Sequence, residues 1–248
     1  MKMKHILNFS SSLCFLLMFT LAQAQEKPAA TSNVEQVADS IPVKKDRYGL
    51  RVGVDLFKLT RGFYDKNYKG IELTGDFRWN KKYYLAAELG NENKTTEDDR
   101  LTSNSKGSYL KAGFDYNMYE NWLDMENIIS IGLRYGFSTF SQELNSYKIY
   151  NPNPYWGELP PIPATEQFNG LSASWIEVVT GMKAKMFNNV FVGFSVQLKT
   201  LVTNKKPEGF DNLYIPGFNR TYNGSFGIGF NYSVTYFVPL YKKKVIVK

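Results

Sequence analysis

Charged side chains spaced at even intervals are the residues here whose types could do chemistry. They are Arg51, Asp55, Glu72, Asp76, Arg78, Glu88, Lys111, Asp115, Arg134, Glu177, Lys183 and Lys199. Within each segment they fall on alternate positions of an otherwise apolar run. Glu72 and Asp76 lie four apart and share a face, a spacing that two carboxylates could use for acid–base work. Arg78 and several lysines share that side, and the twelve residues divide into six acids and six bases. A balanced set of this kind reads as salt-bridge partners rather than as a reaction centre.

Other chemistries are excluded by absence. The only histidine is His5 and the only cysteine is Cys14. Both fall in a stretch that reads as a secretory leader over residues 1–24: Lys2 and Lys4, an apolar run from Leu13 to Leu21, and Ala22-Gln23-Ala24 before Gln25. Cys14 interrupts the apolar run instead of following it, which argues against a lipid-anchored cysteine. Without the leader the chain has no imidazole and no thiol, so histidine bases, thiolate nucleophiles and most zinc or copper sites are ruled out. No catalytic residue, metal or cofactor is expected. Asn93-Lys94-Thr95 and Asn219-Arg220-Thr221 fit a glycosylation sequon and read as chance matches.

Removing Lys2 and Lys4 from the 30 basic residues leaves 28 against 23 acidic, a net charge of +5. Lys242, Lys243, Lys244 and Lys248 account for four of these, so the basic balance is a terminal tag and no nucleic-acid surface is expected.

The elements that must position these residues follow from period two. In 225–238, Phe226, Ile228, Phe230, Tyr232, Val234, Tyr236 and Val238 alternate with small or polar residues, and only Phe237 breaks the second face. A strand of that length can cross a membrane at a tilt, which takes roughly 9–11 residues. Seven more strands are predicted at 47–58, 68–79, 83–90, 107–118, 128–138, 173–186 and 190–202. Strand 173–186 is the least regular, because Trp175 and Val179 fall on the charged side. Asn80-Lys81-Lys82, residues 119–127 and Asn188-Asn189 give short connections; the other four are long. That alternation fits an up-and-down barrel with turns at one end and loops at the other. Tyr48, Trp79, Tyr83, Tyr116, Tyr119, Trp122, Phe187 and Tyr236 are expected to form an aromatic girdle at the turn end.

The fold class predicted is therefore all-β, an eight-stranded antiparallel up-and-down transmembrane β-barrel over residues 47–241. A flexible periplasmic lead-in (25–46) precedes it and a basic tail (242–248) follows. Eight strands leave a lumen just wide enough for side chains, so the twelve charged residues are expected to plug it as a structural network. The alternative is a soluble periplasmic lipocalin-like barrel that turns its apolar face inward around an apolar ligand. Residues 139–172 form the longest linker, with Pro152, Pro154, Pro160, Pro161 and Pro163. Its Tyr147, Tyr150, Tyr155, Trp156 and Phe168 could form a binding platform, or pack on their own loop and on Phe210, Tyr214 and Phe218.

The leader, the aromatic-alternating strands and the ending 225–241 resemble the small eight-stranded outer-membrane barrels of the OmpX and OmpA-barrel type, and a Bacteroidota family of unknown function. The resemblance implies a cell outer-membrane location with both termini periplasmic. It implies a non-enzymatic monomer in contact with outer-membrane lipid, with extracellular loops free to meet a protein partner in structural, adhesion or assembly roles. One departure stands out. Such barrels often end on an aromatic residue, whereas Tyr241 is followed by 242–248, and Pro239 is expected to end strand pairing.

Overall fold

The computed structural model describes residues 43–121, 125–152, 155, 157, 159–209, 211–220 and 224–246. The expected leader, nearly all of the lead-in, Trp122, Trp156 and Phe210 lie outside them. Eight strands form: β1 (Val43–Asp55), β2 (Tyr68–Arg78), β3 (Tyr83–Asp98), β4 (Leu101–Asn117), β5 (Ile128–Tyr147), β6 (Ile162–Phe187), β7 (Val190–Asn204) and β8 (Phe226–Ile246). One helix, α1 (Leu56–Tyr64), follows β1. Each strand pairs antiparallel with the next, and β8 closes on β1 through Val43↔Ile246 to Asp55↔Ser233.

Alternation decides which residues face out. Along β5 burial switches at every position from Ile128 through Glu143. Leu73, Leu89, Leu110, Leu133, Val178, Phe194 and Ile228 project from the wall, each close to half exposed. The charged face turns inward. Packed soluble proteins do not expose a continuous apolar belt of this kind; lipid is the solvent that suits it. The inward face is polar, so the lipocalin-like arrangement of faces is reversed in this chain.

Short turns join the strands at one end. Asn80 accepts from the N–H groups of Lys82 and Tyr83, both at 2.8 Å. Asn189, at φ 95°, closes the two-residue turn between β6 and β7, where asparagine tolerates the left-handed backbone. Trp79, Tyr83, Phe187 and Tyr236 are exposed near this end. Tyr48 departs from the expected girdle. It is only 5% exposed, stacked on Tyr241 at 5.3 Å and covered by the Arg78 guanidinium at 4.8 Å.

The strands run past their expected limits. The polar segment 91–106 is not a loop: β3 and β4 continue as a hairpin to Asp98↔Leu101. Its inward face buries the polar Glu92, Ser103 and Ser105 while its other face meets water, so the apolar alternation stops while the backbone ladder does not. Asn104 ties the hairpin by donating to Asn93 at 2.7 Å and Thr95 at 3.0 Å. The linker 139–172 is likewise mostly strand, since β5 and β6 pair out to Tyr147↔Ile162. At the other end β1 begins at Val43 and β8 reaches Ile246, so residues 43–46 and 242–246 extend the β1–β8 pair. Pro239 does not end the pairing. The register shifts opposite Tyr48 and Gly49 and skips Leu240, and a bulge of this kind accommodates a residue without an N–H.

The first strand is shorter at its other end than expected. It stops at Asp55, whose carboxylate accepts from the Phe57 N–H at 2.7 Å and so starts α1. The apolar alternation of Leu56 with Val54 conceals this change.

Candidate functional site

The inward charges form a column along the lumen. Nearest the turns, Arg51 donates to Asp76 at 2.7 Å, and Lys183 reaches the other oxygen of Asp76 at 2.5 Å. Tyr84 and Phe191 flank the Arg51 guanidinium at 4.8 and 5.4 Å. Arg78 turns towards the mouth, donating to the Arg47 carbonyl at 2.7 Å and lying 3.8 Å from Asp46. In the next layer Arg134 grips Asp115 with two hydrogen bonds of 2.7 and 2.9 Å and lies 3.5 Å from Glu88. At the centre the Lys111 ammonium stands 2.9 Å from Glu88, 3.3 Å from Glu72 and 3.7 Å from Glu177. Lys199 lies 3.5 Å from Glu177, which also accepts from the Trp175 indole at 2.7 Å. Seven of the twelve expected residues, Glu72, Glu88, Lys111, Asp115, Arg134, Glu177 and Lys199, thus form one linked set; Arg51, Asp76 and Lys183 form a separate triad, and Arg78 pairs at the rim. Among the described residues Asp55 joins no ion pair: it is wholly buried as the cap of α1, and its second oxygen has no hydrogen-bond partner there.

The upper layer contains residues that period two alone does not reveal. Lys58, on α1, bridges Glu72 at 2.8 Å and Glu92 at 2.6 Å. Tyr109 donates to Glu72 at 2.6 Å. Glu92 also accepts from the Tyr214 hydroxyl at 2.7 Å and the Gly217 N–H at 3.0 Å. Lys199 donates to the Gly217 carbonyl at 2.7 Å. Glu92 had a signal: Glu88, Gly90 and Glu92 continue the inward alternation beyond the expected strand end. Lys58 had one too, because Asp55 followed by 56–64 is a helix start. Residues 211–220 carry Leu213, Tyr214, Ile215 and Phe218, which is unusually apolar for a surface connection.

That connection, between β7 and β8, folds into the mouth of the barrel. Tyr214, Ile215, Pro216, Gly217 and Phe218 are buried. Ile215 and Phe218 pack with Trp175, Tyr109, Phe140 and Leu171, and Phe168 closes on this cluster. Gln142 holds the loop through the Asp211 carbonyl at 2.9 Å and the Leu213 N–H at 3.2 Å. Burial pushes the Tyr214 phenol well above its ordinary range, and the neighbouring Glu92 adds to this. It therefore stays a hydrogen-bond donor. Gly136 leaves the space that the Trp175 indole occupies; a Cβ there would overlap it.

Two cavities interrupt the column. One of ≈ 50 Å³ is lined by Glu88, Asp115, Arg134, Lys183 and Asn231 among others. One of ≈ 10 Å³ lies behind α1. A single water needs about 10–15 Å³, so the second has room for about one water and the first for a few. Among the described residues no three His, Cys, Asp or Glu side chains converge in a metal-holding arrangement.

The expected platform residues divide. Phe168 belongs to the internal cluster, and Tyr150 lies under the Arg100 guanidinium at 4.3 Å, across from the β3–β4 hairpin. Tyr147, Tyr150 and Tyr155 are exposed. At the opposite end Glu126, in the β4–β5 turn, binds Arg47 and Lys185, the latter at 3.0 Å. Burial acts to raise the Glu126 carboxyl, but hydrogen bonds and charge from Arg47 and Lys185 outweigh it and hold it at about 2.

An apolar outer belt, a polar lumen and an unbroken order of neighbours define an eight-stranded antiparallel up-and-down transmembrane β-barrel. The chain belongs to the family described as Domain of unknown function (DUF6048), which residues 6–243 match. Among solved structures it is similar to Ail, the attachment invasion locus protein of Yersinia pestis. The identity is 11% over 77% of this chain and 97% of that one, with a TM-score of 0.40. No curated protein matches it.

Proposed function

We propose that this chain is a non-enzymatic outer-membrane protein with a side-chain-plugged lumen, serving structural, adhesion or assembly roles through the segments that rise beyond its apolar belt. The observation that carries this reading is the filled interior. Four layers of paired charge lie below an inward-folded loop, and the two spaces described among them have room for about one water and for a few. Buried ion pairs held by opposite charges and hydrogen bonds on several sides favour a rigid structural core over a reacting one.

Both chain ends leave the barrel at the turn end, which we assign to the periplasm. The β3–β4 and β5–β6 hairpins then face outward. They carry Tyr147, Tyr150 and Tyr155 beside Arg100, residue types suited to a protein partner. We take the barrel as a monomer solvated by outer-membrane lipid, with no nucleic-acid partner. Reconstitution into liposomes tests the plug. Swelling in sugar solutions should match protein-free vesicles, and uptake of a small sugar would contradict it. The outward hairpins are tested by protease treatment of intact cells. Cleavage between 148 and 161 is expected, and cleavage confined to 43–47 would reverse the orientation.

A further inference from the structure

The barrel wall has a seam. β1 pairs with β2 only from Leu50↔Phe77 to Val54↔Leu73, and with β8 only as far as Asp55↔Ser233. Beyond that point β1 has become α1. On that side residues 68–72 of β2 and 226–232 of β8 therefore have no strand partner among the described residues. The seam lies within the apolar belt, since Ile71, Ile228 and Phe230 are about half exposed on either side of it. A bilayer does not tolerate an open sheet edge, so α1 must cover it.

The helix fits that position through its side chains. Outward, Phe57 packs on Phe230 at 4.5 Å and on Tyr232 at 5.9 Å, and Thr60 shares a 2.6 Å hydrogen bond with the Tyr232 hydroxyl. Inward, Lys58 reaches Glu72 and Glu92. The ≈ 10 Å³ cavity lies directly behind, lined by lipid-side Phe57 and Phe230 and by lumen-side Lys58, Lys111 and Lys199. Beside it, Asp55 Oδ2 and Glu72 Oε1 are buried without a hydrogen-bond partner. These contacts differ in kind from the ladders that seal the other strand pairs. The helix is held by ring contacts and one hydrogen bond on the lipid side and by the Lys58 ion pairs on the lumen side, so its outer edge can part from Phe230 and Tyr232 while Lys58 and the rest of the barrel stay in place.

We propose that α1 is a shutter, and that the seam it covers is a lateral opening by which the polar head of a membrane-dissolved amphiphile meets the charged residues directly behind the helix, the column below staying plugged. The chemistry on the two sides sets the ligand class: aromatic and apolar towards the lipid, charged within. The idea rests on the membrane-barrel reading above.

The sequence offers a clean test, because Cys14 is the only cysteine and a leaderless chain has none. Gln197→Cys places one thiol behind α1, in the lining of the small cavity. The leaderless protein is reconstituted in bilayers and treated with N-dodecylmaleimide, which partitions into lipid, or with a sulfonated maleimide that stays in water. Faster labelling by the dodecyl reagent is expected. Phe57→Ala with Thr60→Ala should raise its rate about tenfold, the equivalent of one ring contact and one hydrogen bond. Tyr232→Phe, which removes only the hydroxyl, should raise it by a smaller factor and guards against misfolding of the double variant. The proposal is overturned if the dodecyl reagent is no faster than the sulfonated one, or if neither variant changes its rate. Absence of a folded-barrel band from the leaderless protein without the Gln197→Cys change, reconstituted in the same bilayers, would instead count against the membrane-barrel reading.

Discussion

Lys111 stands where three carboxylates converge, and its position shows what single residues contribute to this lumen. Removing one partner of a buried pair leaves a charge without compensation and costs about 3–5 kcal/mol. Lys111→Met should therefore lower the unfolding free energy, read from urea titration in detergent, by an amount of that order; a shift near zero would mean that water enters the column freely. Glu126 offers a pH handle outside the membrane. Its folded carboxyl lies at about 2, below its ordinary 4.5. The stability it contributes is then present above about pH 4.5 and is lost as pH falls towards 2. Because the pair with Arg47 is partly exposed, the contribution is about 1 kcal/mol or less. Glu126→Gln should lower the midpoint at pH 6, and the difference from wild type should close by about pH 2. Much of this scale was legible in the sequence. Alternation alone aims Arg51, Glu72, Asp76, Lys111, Arg134 and Glu177 inward. What alternation does not carry is Lys58, which enters from a helix, and Tyr214, which enters from a loop.

At the scale of elements, two devices fill the upper lumen, and both arise where a strand pattern gives way. The connection 211–220 is held by Glu92, Gln142 and the Trp175 cluster. Tyr214→Phe removes one donor from Glu92, worth about 1–2 kcal/mol in a buried site. Amide exchange over 211–220 should then quicken by about tenfold while that of β4 and β5 stays unchanged; uniform acceleration would mean that the loop does not open independently. Gly136→Val would push into the Trp175 indole and should cost about 1–3 kcal/mol as overpacking. The eight strands, the turns at Asn80 and Asn188-Asn189 and the irregular faces of Trp175 and Val179 were readable from period two. Their true lengths were not. Above the belt, the buried positions of 91–106 are the polar Glu92, Ser103 and Ser105, and the outward positions of 139–147 are polar, so the contrast between apolar and polar faces fades although the hydrogen-bond ladder persists. The helix α1 was missed because Val54 and Leu56 prolong the alternation by one step after Asp55 has already capped a helix.

For the whole molecule, closure is what makes the charged interior and the apolar exterior compatible. An open sheet with these faces would expose either backbone edges or buried charges, whereas a ring of eight strands hides both except at the seam that α1 covers. The same closure should make the barrel resist detergent, because every ladder except that one must break together. The measurement that bears most directly on this account is heat modifiability of the protein expressed in cells from its full sequence and recovered in a membrane fraction. Samples are run on a detergent gel with and without boiling. A membrane-pellet band whose migration changes on boiling is the result the account predicts. A single unshifted band in the soluble periplasmic fraction would contradict it.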